Sequence, residues 1–370
     1  MLLSAAIIVK DDAEHLDACL TSLRGFVDQV VVVDTGSSDG SIAVAEQHGA
    51  LFTCEPWHDD LAAPRNRALD LAAGTWILSL DADERVRGDQ DAVRARLRDD
   101  DGSVGFRVRC APRVGWTPVR EHRLWRNRVD IRFAGHVHET VVPAIDAAAA
   151  AGGLRVDPLD AVTIHRLGDD RDHPATRGRL ERMLSTELVR RPDRARVYDD
   201  LALLYEAAGD SERAVETWKR GVAVARVRNF SDPDDRLLHL DLVNHLLARE
   251  LIDVDLEALV EEARAAYVRT PTLELAAARL AFATGRPRDA LEPLEWLVGL
   301  DDDEIVATGA SYDERVFGEW SWGLIGLCRF ALGDDEAAAD AFRRAERYAP
   351  GDASYVVRRR LAEARAGSSA

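Results

Sequence analysis

Near residue 175 the sequence changes character, and that change constrains the fold more than any single motif does. Before it, short β-rich runs alternate with amphipathic stretches at helical spacing. After it, strand signals stop, and Ala, Leu, Arg and Glu recur at helical period. Strand signatures fall at 3–9, 29–34, 50–53, 76–81 and 104–110, with helical stretches at 13–23, 41–48 and 63–71. Strand, helix, strand at this rhythm predicts an α/β domain, a parallel sheet covered by helices, over residues 1–170. Residues 175–370 are expected to form an all-α domain. A chain of 370 residues exceeds what one hydrophobic core usually serves, which agrees with two domains. The segment DDRDHP at 169–174 reads as a linker, with Pro174 opening the next helix. The tract AAAAAGG at 147–153 reads as a loop or flexible insertion.

Composition excludes some functions. A net charge of −18 argues against a nucleic-acid partner, because phosphate binding needs a cationic surface. Cys19, Cys54, Cys110 and Cys328 form no CxxC pair and no short metal spacing, so no disulfide framework is expected. The apolar start, MLLSAAIIVK, has no basic residue ahead of it and runs into a charged turn, as a buried strand would. No segment has the apolar length of a membrane span. The expectation is a cytoplasmic protein.

The helical half carries a repeat. Gly209, Gly285 and Gly333 are each followed five residues later by alanine, at Ala214, Ala290 and Ala338. In the last unit Trp322, Ile325, Gly326, Phe342, Ala345 and Pro350 complete a tetratricopeptide-like (TPR-like) pattern, with small residues where paired helices cross. A diverged unit is expected over 237–271. Such stacks form curved surfaces that bind partners or a second copy of the chain.

Two motifs carry chemistry. In WILSLDADE, residues 76–84, an apolar strand delivers Asp81 and then Asp83. Carboxylates at that spacing suit a hard divalent cation, Mg²⁺ or Mn²⁺, and can present it to a diphosphate. In VVVDTGSSDGS, residues 31–41, a strand feeds Asp34 into a Gly/Ser turn that opens a helix. Asp34 can accept hydrogen bonds from a base or ribose, and Asp39 can cap the helix. Ligands of open α/β sheets bind at the carboxyl ends of strands, so Asp34 and Asp81 should face one cleft.

Residues 4–85 resemble the nucleotide-sugar half of family 2 glycosyltransferases with the GT-A (Rossmann-like) fold. More narrowly, they resemble the branch of SunS-like peptide glycosyltransferases and TPR-containing relatives. The resemblance is carried by IIVKDD at 7–12, VDTGSSDG at 33–40, WHDDLAAPRN at 57–66 and LDADE at 80–84. RLWRN at 123–127, GHVHE at 135–139 and IH at 164–165 extend it. Departures fall at Lys10-Asp11-Asp12, where the family usually has Lys-Asn-Glu, and at Leu61 and Pro64 in its Asp-Phe-Ala-x-Ala-Arg-Asn motif. They bear on which donor is taken, not on the reaction class.

The resemblance implies an inverting, metal-dependent transfer from a uridine diphosphate sugar (UDP-sugar). Asp34 and Lys10 would then bind the nucleotide, Arg65 the nucleotide or diphosphate, and Asn66 would support them. Asp83 would be the main metal ligand, and Asp81 would contact ribose or metal. Inversion needs a general base, for which Glu139 is the candidate. His136 and His138 are expected on one side of an extended strand, with metal, phosphate and core roles all open. His165, ending a β-like run at 161–165, is read as a further metal or diphosphate ligand. The acceptor is expected to be a peptide, protein or small molecule, and the helical domain to bind it or to form a homodimer. Two other classes fit the sequence less well. A sugar nucleotidyltransferase would need a Gly-rich basic loop that KDDAE at 10–14 lacks. A non-catalytic TPR scaffold would have no need of Asp34, Arg65, Asp81 and Asp83 together. An envelope-glycan acceptor stands beside the peptide.

Overall fold

A computed structural model describes residues 1–166, 174–232, 234–251 and 254–368. The chain divides into two compact units, Met1–Thr176 with Gly309–Ser311, and the remainder from Arg177 onward. The expected linker lies outside the described residues, apart from Pro174. Among the described residues no helix is long and apolar enough to cross a membrane.

The first unit runs β1 (Leu3–Val9), α1 (Ala13–Ser22), β2 (Gln29–Asp34), α2 (Ser41–Gln47), β3 (Leu51–Cys54), α3 (Ala62–Leu71) and β4 (Trp76–Asp81). It continues β5 (Glu84–Gly88), α4 (Gln90–Arg98), β6 (Ser103–Ala111), β7 (Val119–Arg126), α5 (Val142–Gly152) and β8 (Arg155–Arg166). The strands form one sheet in the order β3-β2-β1-β4-β7-β6-β8-β5. Strand alternation builds a core on each face. Leu3, Ala5, Ile7 and Val9 pack with α1 and α4, while Ala6, Val31, Val33 and Ile77 pack with α3 and α5.

Two expectations need correction. The sheet is not wholly parallel: β3, β2, β1 and β4 run parallel, but β7 pairs antiparallel with both β4 and β6, and β5 with β8. The alanine tract at 147–153 is no loop. It forms the second half of α5, because alanine is the strongest helix former, and Gly153 ends the helix at φ +59°.

The sheet also curls. Three strands separate β4 from β5 in hydrogen-bonding order, so a flat sheet would set them about 19 Å apart. The three peptide steps from Asp81 to Glu84 reach about 11 Å at most. The sheet must therefore wrap round at the Asp81–Glu84 turn, which brings β7 and β8 beside it.

The second unit is helical. It comprises α6 (Pro174–Arg190), α7 (Ala195–Ala207), α8 (Ser211–Val227), α9 (Asp235–Ala248), α10 (Val254–Ala266) and α11 (Pro271–Ala283). Then follow α12 (Leu291–Leu297), α13 (Asp302–Ala307), α14 (Glu319–Ala331), α15 (Asp335–Tyr348) and α16 (Ala353–Ser368). The repeat glycines each follow the first helix of a pair: Gly209, Gly285 and Gly333 have φ of +83°, +77° and +82°. After each, the next amide reaches back five residues, as from Asp334 N to Arg329 O at 3.0 Å, which closes the helix end. Ala214, Ala290 and Ala338 are fully buried. The diverged unit expected over 237–271 is occupied by α9 and α10.

Where helices cross, small residues are obligatory. A Cβ on Gly326 would stand 2.5 Å from the Phe342 ring. Gly326→Ala is expected to destabilise the protein by about 1–3 kcal/mol in urea unfolding, since a filled core must shift to admit a methyl.

A buried carboxyl pair makes this unit pH-sensitive. Asp199 is 2% exposed and accepts from Trp218 Nε1 at 2.9 Å. Burial first, and then the charge of Asp241, push it up to about 8, while burial takes Asp241 to about 6. An unfolded aspartate titrates near about 4. With the folded values higher, the pair's contribution to stability is full below that pH and is lost as pH rises through about 6 and 8. Asp199→Asn keeps the acceptor for Trp218 and removes the charge. Thermal melts should show the variant more stable than wild type at pH 8 and little changed at pH 5.

Candidate functional site

Parallel pairing sets the cleft. Val9 lies opposite Asp34 and Ile8 opposite Asp81, so the two aspartates flank the carboxyl end of β1. Each ends a strand of the buried sheet, where the chain must turn.

At the β1–β2 side, the loops are stitched together. Asp34 is 2% exposed and accepts from Gly36 N at 2.9 Å and Ser37 N at 3.0 Å. Lys10 Nζ donates to Gly36 O at 2.6 Å. Asp39 accepts from Ser41 N and from Ala13 N, both at 3.0 Å, and so serves the amino ends of α2 and α1 together. Asp34 thus organises its own turn. A carboxylate has about four lone-pair sites, so further acceptance is compatible with these bonds.

At the β4 end, carboxylates crowd into one turn. Asp81 closes β4, Asp83 is 2% exposed, and Glu84 opens β5, 3% exposed. Glu84 Oε2 accepts from Asp81 N at 2.8 Å, which closes the turn. Three guanidinium groups from three elements balance it. Arg65 on α3 donates from Nη2 to Asp81 Oδ1 at 2.7 Å and from Nε to Glu139 Oε1 at 2.6 Å. Arg123 on β7 grips Glu84 at 2.9 and 3.2 Å and Glu121 at 2.7 Å. Arg166, ending β8, bonds Asp81 Oδ2 and places its Nε 3.4 Å from Asp83 Oδ2.

The electrostatics follow from these contacts. Burial works to raise the Asp81 carboxyl, but Arg65, Arg123 and Arg166 outweigh it and hold it well below the usual carboxylate range. Burial pushes Glu84 up to about 7 against the pull of Arg123, and the Asp81 charge pushes the same way.

Glu139 reaches the site from a loop, not a strand. Gly135 and His138 have φ of +105° and +55°, and Ala134 bridges Thr140 across the turn. The extended strand expected for 135–139 is therefore replaced by a tight reversal. The loop is clasped to α3. Asn66 exchanges two hydrogen bonds with the Phe133 backbone at 2.8 and 2.9 Å, Leu61 N donates to His136 O at 3.1 Å, and His136 Nδ1 lies 3.1 Å from Asp60. Arg65 also stacks over the Phe133 ring. The chain 60–66 thus positions Glu139.

The structure brings Asp81, Asp83, Arg65 and Glu139 together, with Asn66 behind them and Lys10 and Asp34 at the neighbouring strand ends. It does not bring His165 there. The His165 Nε2 lies 3.0 Å from Thr163 Oγ1, two residues back on the same face of β8, and Arg166 faces the acidic turn instead. Arg166 was not among the expected residues, nor was Glu84. Alternation after a recognised His165 points to the next residue for the opposite face, but only if the face of His165 is known. Among the described residues, no three His, Cys, Asp or Glu side chains group to hold a metal.

Residues 4–155 match the family model for glycosyl transferase family 2. Over 270 residues the chain is 34% identical to a TPR repeat-containing protein of Synechococcus elongatus, covering 71% of this chain and 65% of that protein. Over 174 residues it is 32% identical to the lipopolysaccharide core biosynthesis glycosyltransferase LpsC of Rhizobium meliloti, covering 42% of this chain and 64% of that one. The chain thus spans slightly under two thirds of the length of these two relatives. Among solved structures, S. aureus TarS in complex with UDP-GlcNAc is similar with a TM-score of 0.39 and 16% identity, over 78% of this chain and 90% of that one.

Among the described residues, Arg65 is the side chain that bonds both Asp81 and Glu139. Arg65→Met leaves Glu139 without its cation in a nearly buried position. It is expected to lower stability by about 3 kcal/mol or more in urea unfolding, with Arg65→Lys intermediate, since an ammonium cannot donate in the same fork.

Proposed function

We propose, from the premise that this chain belongs to glycosyl transferase family 2, that it is an inverting, metal-dependent hexosyltransferase. It takes a sugar from a uridine diphosphate sugar and passes it to a cytoplasmic acceptor. Residues 1–170 perform the transfer, and residues 175–370 form a helical domain that engages a peptide or protein acceptor or a second copy of the chain.

The observation that carries this reading is the convergence of Asp81 and Asp83 on a single cationic group, Arg166, at the carboxyl edge of the parallel strands. Two carboxylates that share one positive group can share another. The donors are all oxygen, and two carboxylates leave room for phosphate oxygens and water, the coordination that Mg²⁺ and Mn²⁺ prefer. Asp83 is the principal ligand, with Asp81 as the second ligand or a ribose contact. Such a cation, when bound, neutralises the charge on the departing nucleoside diphosphate.

The chain's own residues do the rest. Asp34 and Lys10 receive the nucleoside at the ends of β2 and β1. Arg65 contacts the nucleotide or diphosphate, and Asn66 holds the loop that carries the base. Glu139 keeps Oε1 on Arg65 and takes the acceptor's proton on Oε2 as the acceptor atom bonds to the anomeric carbon and that carbon's bond to the diphosphate oxygen breaks, the electron pair leaving with the nucleoside diphosphate. A second reading, with an envelope saccharide as acceptor, is favoured by the name of the LpsC relative.

Calorimetric titration with a panel of nucleotide sugars, with Mn²⁺ and then with chelator, tests the donor side. Metal-dependent binding of one uridine diphosphate sugar is expected, and Asp83→Asn should abolish it. Glu139→Gln should keep donor affinity and lower transfer by about 100-fold or more. Absence of binding to every donor by a folded protein would favour a non-catalytic scaffold.

A further inference from the structure

Arg166 stands where a divalent cation on Asp81 and Asp83 would have to sit. It bonds Asp81 Oδ2, its Nε is 3.4 Å from Asp83 Oδ2, and its Nη2 is 3.9 Å from Glu84 Oε1. A metal ligand oxygen lies about 2.0–2.1 Å from Mg²⁺, so a guanidinium on the same two oxygens would hold its charge close against the cation's and be repelled.

The three arginines differ in what else restrains them. Arg65 has Glu139 as a second anchor, and Arg123 has a two-point grip on Glu84 together with Glu121. Each can keep its place whatever happens at Asp81. Among the described residues, the ion pairs of Arg166 fall on the Asp81–Glu84 turn. Its side chain is 33% exposed, against 13% for Arg65 and 17% for Arg123, so it is the most open of the three to solvent.

Resting on the transferase reading, we propose that Arg166 is a counter-ion switch. It neutralises the acidic turn while no divalent cation is bound. Once Asp81 and Asp83 ligate the cation, it turns to the anionic oxygens of the nucleoside diphosphate. A guanidinium suits that second role, because its donor fork matches phosphate oxygens. The turn is then never left as an uncompensated cluster of buried carboxylates, and the leaving group gains a further positive partner besides the metal and Arg65.

The switch has two signatures of opposite sign. Wild type, Arg166→Ala and Arg166→Lys are compared as full chains, with circular dichroism and thermal melts to establish folding. Mn²⁺ affinity is read without nucleotide from the paramagnetic resonance signal of the free ion, and UDP affinity by calorimetry at saturating Mn²⁺. Arg166→Ala should bind Mn²⁺ alone several-fold more tightly, because its competitor is gone. It should bind UDP about tenfold or more weakly, having lost a charge-assisted contact. Arg166→Lys should keep part of the UDP affinity, and it carries the test if the alanine variant fails to fold. Unchanged Mn²⁺ and UDP affinities in variants of a wild type that binds both would overturn the switch and leave the transferase reading standing. A wild type that binds neither Mn²⁺ nor UDP would overturn both.

Discussion

The ion pairing of Asp81 is the interaction on which the sheet unit depends. A turn that places three carboxylates in four residues, two of them almost fully buried, cannot persist without cations. They come from α3, β7 and β8, elements far apart in sequence. The β4–β5 turn therefore acts as a keystone: the short chain between strands curls the sheet, and the curl carries β7 and β8 to where their arginines are needed. In the proposed reaction stability and function would draw on the same charges, since an acidic turn that needs positive partners is one suited to a divalent cation.

Much of this architecture was legible in the sequence. The apolar runs 3–9, 29–34 and 76–81 became β1, β2 and β4 with the expected limits, because β-branched and aliphatic residues crowd there between polar turns. Aspartates ending two of those runs pointed to the cleft. The misreadings share a physical cause, which is that local pattern does not report tertiary setting. AAAAAGG has no periodicity to advertise, yet it packs Ala148 against the sheet as part of α5. GHVHE has strand-like alternation, yet Gly135 and the positive φ of His138 reverse it into a loop held by α3. That clasp could not be read locally, since it depends on Asn66 meeting a backbone 67 residues away.

The helical unit was read from spacing alone, and there spacing suffices. A glycine that ends one helix and an alanine buried in the next are both demands of backbone geometry, and they survive divergence of almost everything around them. Gly326 against Phe342, and Gly221 against Tyr198 and Leu238, show the same demand for small residues where large ones cross.

The pairing of β6 with β8 is uneven. Val108 sits opposite Leu159, but the next residue, Arg109, sits opposite Thr163, so β8 carries extra residues in a bulge just before its end. In a strand, adding or removing one residue exchanges the two faces for everything downstream. The length of this bulge therefore determines which of His165 and Arg166 meets the acidic turn. A lineage could replace a guanidinium with an imidazole at this site through a single insertion or deletion, with both residues unaltered. Among descendants of such a chain, the site would then differ in cation chemistry while an alignment of the final strand showed two unchanged letters.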